Sequence, residues 1–316
     1  MMGVIPMART PLTKAQVEKI KAQRLEKAKE LQEGIAAQVE ELVDSSAWQA
    51  MLDFASKFHS YSFNNLLLIQ MQNPNASQVA GFRQWQKLGR QVRRGEKAIK
   101  IFGYGERKTT PKNTTETTGE GDTEQSVEEE VRPGVVRYYP IVNVFDISQT
   151  DPIEGAEQPP VVARLLTGED TEGLYAQVLE FLQHQGWSVT RSMLEAGLNG
   201  YTETSGSRQV VISSRLEDAQ AAKTLLHEAA HVLLHSEESY AEYVAHRGLK
   251  EVEAESVAYV VAGAFGMDTS QYTIGYVAGW SKTDVEVIKQ SATNVLKAAH
   301  VLIEAISNQI DLAAAA

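Results

Sequence analysis

Cysteine is absent from the 316 residues, which excludes disulfides and any thiolate metal ligand and agrees with a reducing compartment. No run of 18 apolar residues occurs, so no transmembrane helix and no membrane partner are expected. The opening MMGVIPMARTPLTK has neither an apolar h-region nor a cleavage site. It does not read as a secretory signal, Met7 is an alternative start to Met1, and the expected location is cytoplasmic. Net positive charge is lacking too: the formal charge is −11, which taken whole argues against a nucleic-acid partner. What remains is a chain that is 43 % hydrophobic, enough for two ordinary domains with their own cores.

The segment KTLLHEAAHVLLH places His227, Glu228 and His231 in the spacing HExxH. On a helix, positions i and i+4 lie one above the other, so both imidazoles reach the same point. Glu228 sits about 100° around from His227, beside the pair without competing for that point. Two neutral imidazoles suit Zn2+, with another divalent metal as the alternative, and the carboxylate suits a general base for a water that the cation polarises. Leu225, Leu226, Ala230, Val232, Leu233 and Leu234 predict that this helix is buried.

A third ligand is needed. His235 continues the i+4 series but lies about 12 Å along the axis from His227, too far to share an ion with both. A metzincin requires Gly and His where Leu234 and Glu237 stand, so that class fails. The next helical segment, KEVEAESVAYVVAGAFG, offers Glu251, Glu253 and Glu255. Glu251 and Glu255 share a face and Glu253 points elsewhere. Glu251 is the preferred ligand and Glu255 the preferred acceptor for a ligand histidine, with the swap left open. Candidate oxyanion donors are His246, Tyr272 and Tyr276.

Along the chain, residues 1–44 form a charged N-terminal helical arm, with a long helix from about Thr13 to Val43. Residues 45–150 form a first domain. Its helices are 45–58 and SFNNLLLIQMQ, GFRQWQKLG is a short helix or turn, and AIKIFGYG and VVRYYPIVNVFDISQT supply strands. Residues 109–133, rich in Thr, Glu and Gly, are expected to be a disordered acidic insertion between strands. DPIEGAEQPP, within 151–160, reads as a linker. Residues 161–316 form the second domain: a helix from Leu174 to Gln185, the strand WSVTR, a hairpin in GYTETSGSRQVVISS, the HExxH helix, the third-ligand helix, an aromatic loop and a terminal helix from Lys282 to Gln309. A small sheet ahead of an HExxH helix is a zincin-like layout, in which an edge strand can pair with an extended peptide. The expected fold class is α+β, a mixed helix/sheet domain followed by a zincin-like, gluzincin-type metallopeptidase domain.

Charge is segregated. From Arg83 to Lys108 nine cations face only Glu96 and Glu106, interleaved with Phe82, Trp85, Phe102 and Tyr104, with Tyr61 and Phe63 upstream. Basic grooves track a phosphate backbone and exposed rings stack on bases, which suits single-stranded nucleic acid. Asn64 and Asn65 add polar contacts.

YSFNNLLLIQMQNP, GFRQWQKLGRQVRRGEKAIKIFG and PIVNVFDISQT, followed by HEAAH and EVEAE, resemble the ArdC-type antirestriction family of plasmids, phages and other mobile elements. That resemblance spans roughly residues 40–150 and 215–280 in family order. It implies an N-terminal single-stranded-DNA-binding domain, a C-terminal zincin-like metallopeptidase domain and protection of incoming DNA. It also implies metal binding by His227 and His231, catalysis by Glu228, and Glu251 as third ligand. The DNA surface would fall on Tyr61, Asn64, Arg83, Trp85, Arg93, Arg94 and Lys97; Asn65 and Lys100 join it from the basic, aromatic pattern. The long charged N-terminal helix and the Thr/Glu insertion depart from the family. Three functions compete: a DNA-binding metallopeptidase, a non-catalytic single-stranded-DNA-binding protection protein with a structural metal site, and a regulatory protease that cleaves one partner protein.

Overall fold

The computed structural model describes residues 14–42, 44–58, 60–108, 129–132, 135–156, 171–203, 206–237, 246–267 and 284–315. Helix α1 (Lys14–Glu41) is followed by α2 (Ser45–Ala55) and α3 (Phe63–Gln72). Asp44 caps α2 by accepting from the Ser46 and Ala47 backbone N–H groups at 2.8 and 3.3 Å, as an acidic N-cap should. The apolar run in α3 buries Phe63 and Leu66 to Ile69. Asn73-Pro74 then ends it, because the residue before proline disfavours the α region. Leu25 of α1 is 60 % exposed, whereas Leu31, Ile35 and Val39 are buried. The first half of α1 is thus an arm and its second half is core.

Strand β1 (Val79–Gly81), β7 (Ile141–Asp146) and β3 (Ile99–Phe102) form an antiparallel sheet in the order β1-β7-β3, with the short α4 (Phe82–Lys87) following β1 directly. Strand β2 (Arg90–Val92) pairs with β8 (Thr150–Pro152), and β4 (Gly105–Lys108), β6 (Val135–Tyr138) and β5 (Glu129–Arg132) make a third small sheet. Two boundaries differ from the sequence reading. Glu129–Arg132, placed in the acidic insertion, is strand, paired antiparallel to β6 with a register shift between Glu130 and Arg132. Asp151 and Pro152, placed in the linker, continue β8 because Arg90 and Gln91 pair with them. Residues 109–128 and 157–160 lie outside the described residues.

The second half opens with α5 (Thr171–His184), terminated at Gly186 with φ +80°, where glycine avoids the Cβ clash. Strands β9 (Ser188–Ser192), β10 (Gly200–Thr202) and β11 (Gln209–Ser213) form a sheet in the order β10-β11-β9, antiparallel then parallel. Three helices follow: α6 (Asp218–His235), α7 (Arg247–Ala264) and α8 (Val285–Ala315). Helix α8 runs past the expected Gln309.

Among the described residues, most buried apolar side chains form one continuous cluster from Leu31 to Ile306, which leaves out Trp85 and Val92, among others. Helix α2 reaches across to α7: the buried Trp48 indole donates to Ser256 Oγ at 3.1 Å, and the Tyr259 hydroxyl donates to Asp53 Oδ1. No described helix is long and apolar enough to cross a membrane.

Candidate metal centre and basic surface

Helix α6 buries its apolar face under Leu225, Leu226, Ala229 and Ala230, which turns His227, Glu228 and His231 toward α7 and β10. His227 Nε2 and His231 Nε2 lie 3.0 Å apart. Glu251 Oε2, on α7, is 3.4 Å from His227 Nε2 and 3.8 Å from His231 Nε2. These three residues each offer one donor atom, all within 4.8 Å of one another. The group is open on one side, since the Glu251 side chain is 41 % exposed.

Glu255 does not join this point. Its Oε2 meets the opposite nitrogen, His227 Nδ1, at 3.1 Å, and its Oε1 meets Lys223 Nζ at 3.2 Å. Burial raises the Glu255 pKa, but the His227 and Lys223 contacts outweigh it and hold the carboxyl below its ordinary value. Burial likewise works against charge on His227, yet Glu251 and Glu255 offset it and push the imidazole up to about 10. His231 moves the other way, lowered by burial and by the neighbouring His227 and His235, which together outweigh Glu251. The point between the two Nε2 atoms and Glu251 therefore favours positive charge. Two imidazole nitrogens and a carboxylate oxygen around one charge-demanding point are a donor set that fits a divalent ion.

Glu228 is 5 % exposed, and burial raises its pKa. Thr202, from the sheet-edge strand β10, donates its hydroxyl to Glu228 Oε2 at 2.7 Å. This reach depends on Gly200. A Cβ there would sit 2.8 Å from Thr224 Cγ2 and 3.1 Å from the Val211 carbonyl, so only glycine lets β10 lie this close to α6. Thr202 was not singled out from the sequence; nothing local to β10 signals a partner 26 residues downstream.

His235 lies apart from the three donors, as the helical rise requires, but it is not idle. Its Nδ1 is 3.0 Å from His231 Nδ1, and its Nε2 is 3.0 Å from Glu253 Oε2. Glu253, which the spacing turned away from the metal point, is buried against α6 instead. His246 is exposed at the start of α7 and makes no side-chain cap bond. Tyr272 and Tyr276 lie outside the described residues. Arg247 Nε approaches Glu251 Oε1 at 3.9 Å and places a cation beside the opening.

The residues suggested for nucleic-acid contact divide into two sets. Trp85 is fully buried and its indole donates to the Phe145 carbonyl at 2.8 Å, so its ring is a core element and not a stacking platform. Tyr61 packs edge-on to Phe58, and its hydroxyl donates to the Val79 carbonyl. Asn65 exchanges two hydrogen bonds with the Phe102 backbone, which occupies its amide. Arg93 is tied to Glu96 at 2.8 Å and to Asp151 at 3.2 Å, so its charge is compensated within the fold. Lys100 contacts Asn143 Oδ1 at 3.3 Å across β3 and β7. Asn64, Arg83, Arg94 and Lys97 remain exposed. Of the aromatics, Phe82 and Tyr104 are exposed, and the Arg137 guanidinium lies 5.8 Å from the Tyr104 ring centroid.

Residues 25–145 match the family described as the N-terminal domain of anti-restriction factor ArdC, and residues 183–305 match the IrrE N-terminal-like domain, Peptidase_M78. The chain thus carries an ArdC N-terminal-type domain in its first half and an M78 peptidase-like, zincin-like domain in its C-terminal half. An uncharacterized protein of Bacillus anthracis is 27 % identical over 326 residues, covering 95 % of this chain and 54 % of that protein. The chain thus spans about half the length of that curated relative. The metal-free crystal structure of the antirestriction ArdC protein from the R388 plasmid is 19 % identical with a TM-score of 0.43, covering 78 % of this chain and 86 % of that one. Its Mn(II)-bound form is 20 % identical with a TM-score of 0.41, covering 78 % and 90 %.

Proposed function

We propose that this protein binds single-stranded DNA through its N-terminal half and carries a zinc-dependent peptidase centre in its C-terminal half. We place it in the cytoplasm as a DNA-protection factor of a mobile element. The observation that carries the enzymatic part is the convergence of His227 Nε2, His231 Nε2 and Glu251 Oε2 on one point, with a buried carboxylate, Glu228, on the same helical turn. His227, His231 and Glu251 would hold the ion. When bound, it supplies Lewis acidity, polarising a peptide carbonyl and acidifying a water.

The rest of the chemistry belongs to the side chains. Thr202 occupies Glu228 Oε2, so proton traffic falls to Oε1. Burial keeps this carboxyl's proton affinity high, which suits a base that takes a proton from water and later returns it to a leaving amine. Glu255 accepts from His227 Nδ1 and thereby aims the Nε2 lone pair into the site. Support for the DNA part is the exposed set Asn64, Arg83, Arg94 and Lys97 with Phe82 and Tyr104, in a domain of the ArdC family.

The test compares wild type with Glu228→Ala for metal content, single-strand affinity, peptidase activity on a mixed peptide library, and protection of DNA from restriction. The expected result is unchanged metal and DNA binding with loss of peptide cleavage. Full protection by the variant would mean that protection is stoichiometric. Absence of cleavage by metal-loaded wild type would remove the catalytic reading.

A further inference from the structure

Behind the metal point lies a second chain of polar groups, buried at its histidines and at Glu253. His231 is 7 %, His235 3 % and Glu253 6 % exposed. His231 Nδ1 meets His235 Nδ1 at 3.0 Å, His235 Nε2 meets Glu253 Oε2 at 3.0 Å, and Asn294 Nδ2 of α8 donates to Glu253 Oε1 at 3.4 Å. Three helices, α6, α7 and α8, thus each contribute a link. Burying an imidazole and a carboxylate here is costly unless both are hydrogen-bonded, and the geometry meets that condition.

The direction of each bond follows from donor and acceptor chemistry. An ionised carboxylate only accepts, so His235 Nε2 carries the hydrogen given to Glu253. With one hydrogen per ring, His235 Nδ1 is then the acceptor in the Nδ1–Nδ1 contact. Two bare nitrogens at 3.0 Å would repel, so His231 Nδ1 carries the hydrogen between them. His231 Nε2 is left as a lone pair, and it is this atom that faces His227 and Glu251. With an ion bound, both ligand histidines would carry their hydrogen on Nδ1 by different routes: His227 through one carboxylate, His231 through an imidazole that hands the instruction on.

We infer that His235 and Glu253 are positioning residues that fix His231 as its Nδ1–H tautomer and orient its Nε2 toward the divalent ion. The inference rests on the metal reading above, because it gives the tautomer a purpose, but its structural content holds in the metal-free protein. Partners of this kind typically change metal affinity by about 10- to 100-fold.

Two measurements test it. Long-range 1H–15N correlation spectra of the metal-free, full-length protein should show His231 protonated at Nδ1 and bare at Nε2; the reverse tautomer in wild type overturns the relay without any mutation. Zn(II) titration should then show Glu253→Ala and His235→Ala weakened by about 10- to 100-fold, with His231 shifting toward the Nε2–H form. Circular dichroism and melting establish that each variant is folded. Glu253→Asp, which keeps an acceptor on a shorter arm, should recover part of the affinity. If wild type binds Zn(II) and both variants bind it equally with an unchanged His231 tautomer, the relay is wrong. If wild type shows the Nδ1–H tautomer but binds neither Zn(II) nor Mn(II), the metal reading fails and the relay's geometry stands.

Discussion

His227 and His231 face each other through their Nε2 atoms at 3.0 Å, with His227 pushed up to about 10 by Glu251 and Glu255. A proton and a metal ion therefore compete for one place. Zn(II) binding at pH 7.5 is expected to release about one proton, measured by calorimetry in two buffers of different ionisation enthalpy. The raised pKa also has a defined sign for stability. Charged His227 stabilises the metal-free fold fully below its unfolded value of 6.5, and this is lost as pH rises through about 10. In chelator, the melting temperature should fall across that window; in Zn(II), where no proton is held, it should fall less.

Glu228→Gln keeps the size of the side chain and an oxygen for the Thr202 hydroxyl, and it touches none of the three donor atoms. Metal stoichiometry should stay at the wild-type value, while kcat for peptide cleavage falls by about 10²- to 10⁴-fold, the range for losing general acid–base assistance. Thr202→Val should lower kcat less and leave metal affinity unchanged. Gly200→Ala should resemble Thr202→Val in kcat, because the added Cβ forces β10 away from α6.

Asp146 accepts from the backbone of Ser77, Gln78 and Ser148 at 2.8–3.1 Å and joins the β1 entry to the end of β7. Burial raises its pKa, but these hydrogen bonds outweigh burial and hold it below its ordinary value. Stability from this group is present above the unfolded carboxylate range, near 4, and is lost as pH falls through the lower folded value. Asp146→Ala should cost about 1–3 kcal/mol at pH 7, read from urea denaturation, and the difference from wild type should shrink in acid.

For the DNA surface, the structure redirects mutagenesis. Arg83→Ala, Arg94→Ala and Lys97→Ala should each weaken single-strand binding and reduce the slope of log K against log salt by about 0.7 per lost phosphate contact. Arg93→Ala should first release the ion pairs to Glu96 and Asp151, lowering the melting temperature with a smaller change in slope. Trp85→Ala should destabilise the fold by about 3–5 kcal/mol instead of removing one stacked base. Equal salt slopes in the Arg83, Arg94 and Lys97 variants and wild type would sink the proposed surface.

What was legible in the sequence is what depends on periodicity within one element. The spacing of four between His227 and His231, and between Glu251 and Glu255, places each pair on one face without reference to the rest of the chain. Which of the two glutamates meets both imidazoles depends on how α6 crosses α7, and spacing carries no such information. Glu253 and His235 show the same limit: each is unremarkable on its own helix, and their 3.0 Å contact exists only once the helices pack. In the first domain, aromatics among cations cannot be sorted into core and surface by pattern alone. Trp85 lies between Arg83 and Lys87 on a six-residue helix, and only the sheet beneath it explains why the ring is inside. Arg93 was misleading for a related reason, since one of its partners, Asp151, is 58 residues away on β8.

The clamp of α2 on α7 bears on how this architecture can be rearranged. The helix that presents Glu251 and Glu255 has Ser256 and Tyr259 on its next turns, and these are held by Trp48 and Asp53 from the other half of the chain. Grafting residues 183–305 onto a different N-terminal module would leave an empty indole socket beside the helix that carries the carboxylates. The two halves therefore travel as a matched pair: a transplant would have to carry α2 with it, or refill that socket with a side chain of the same shape.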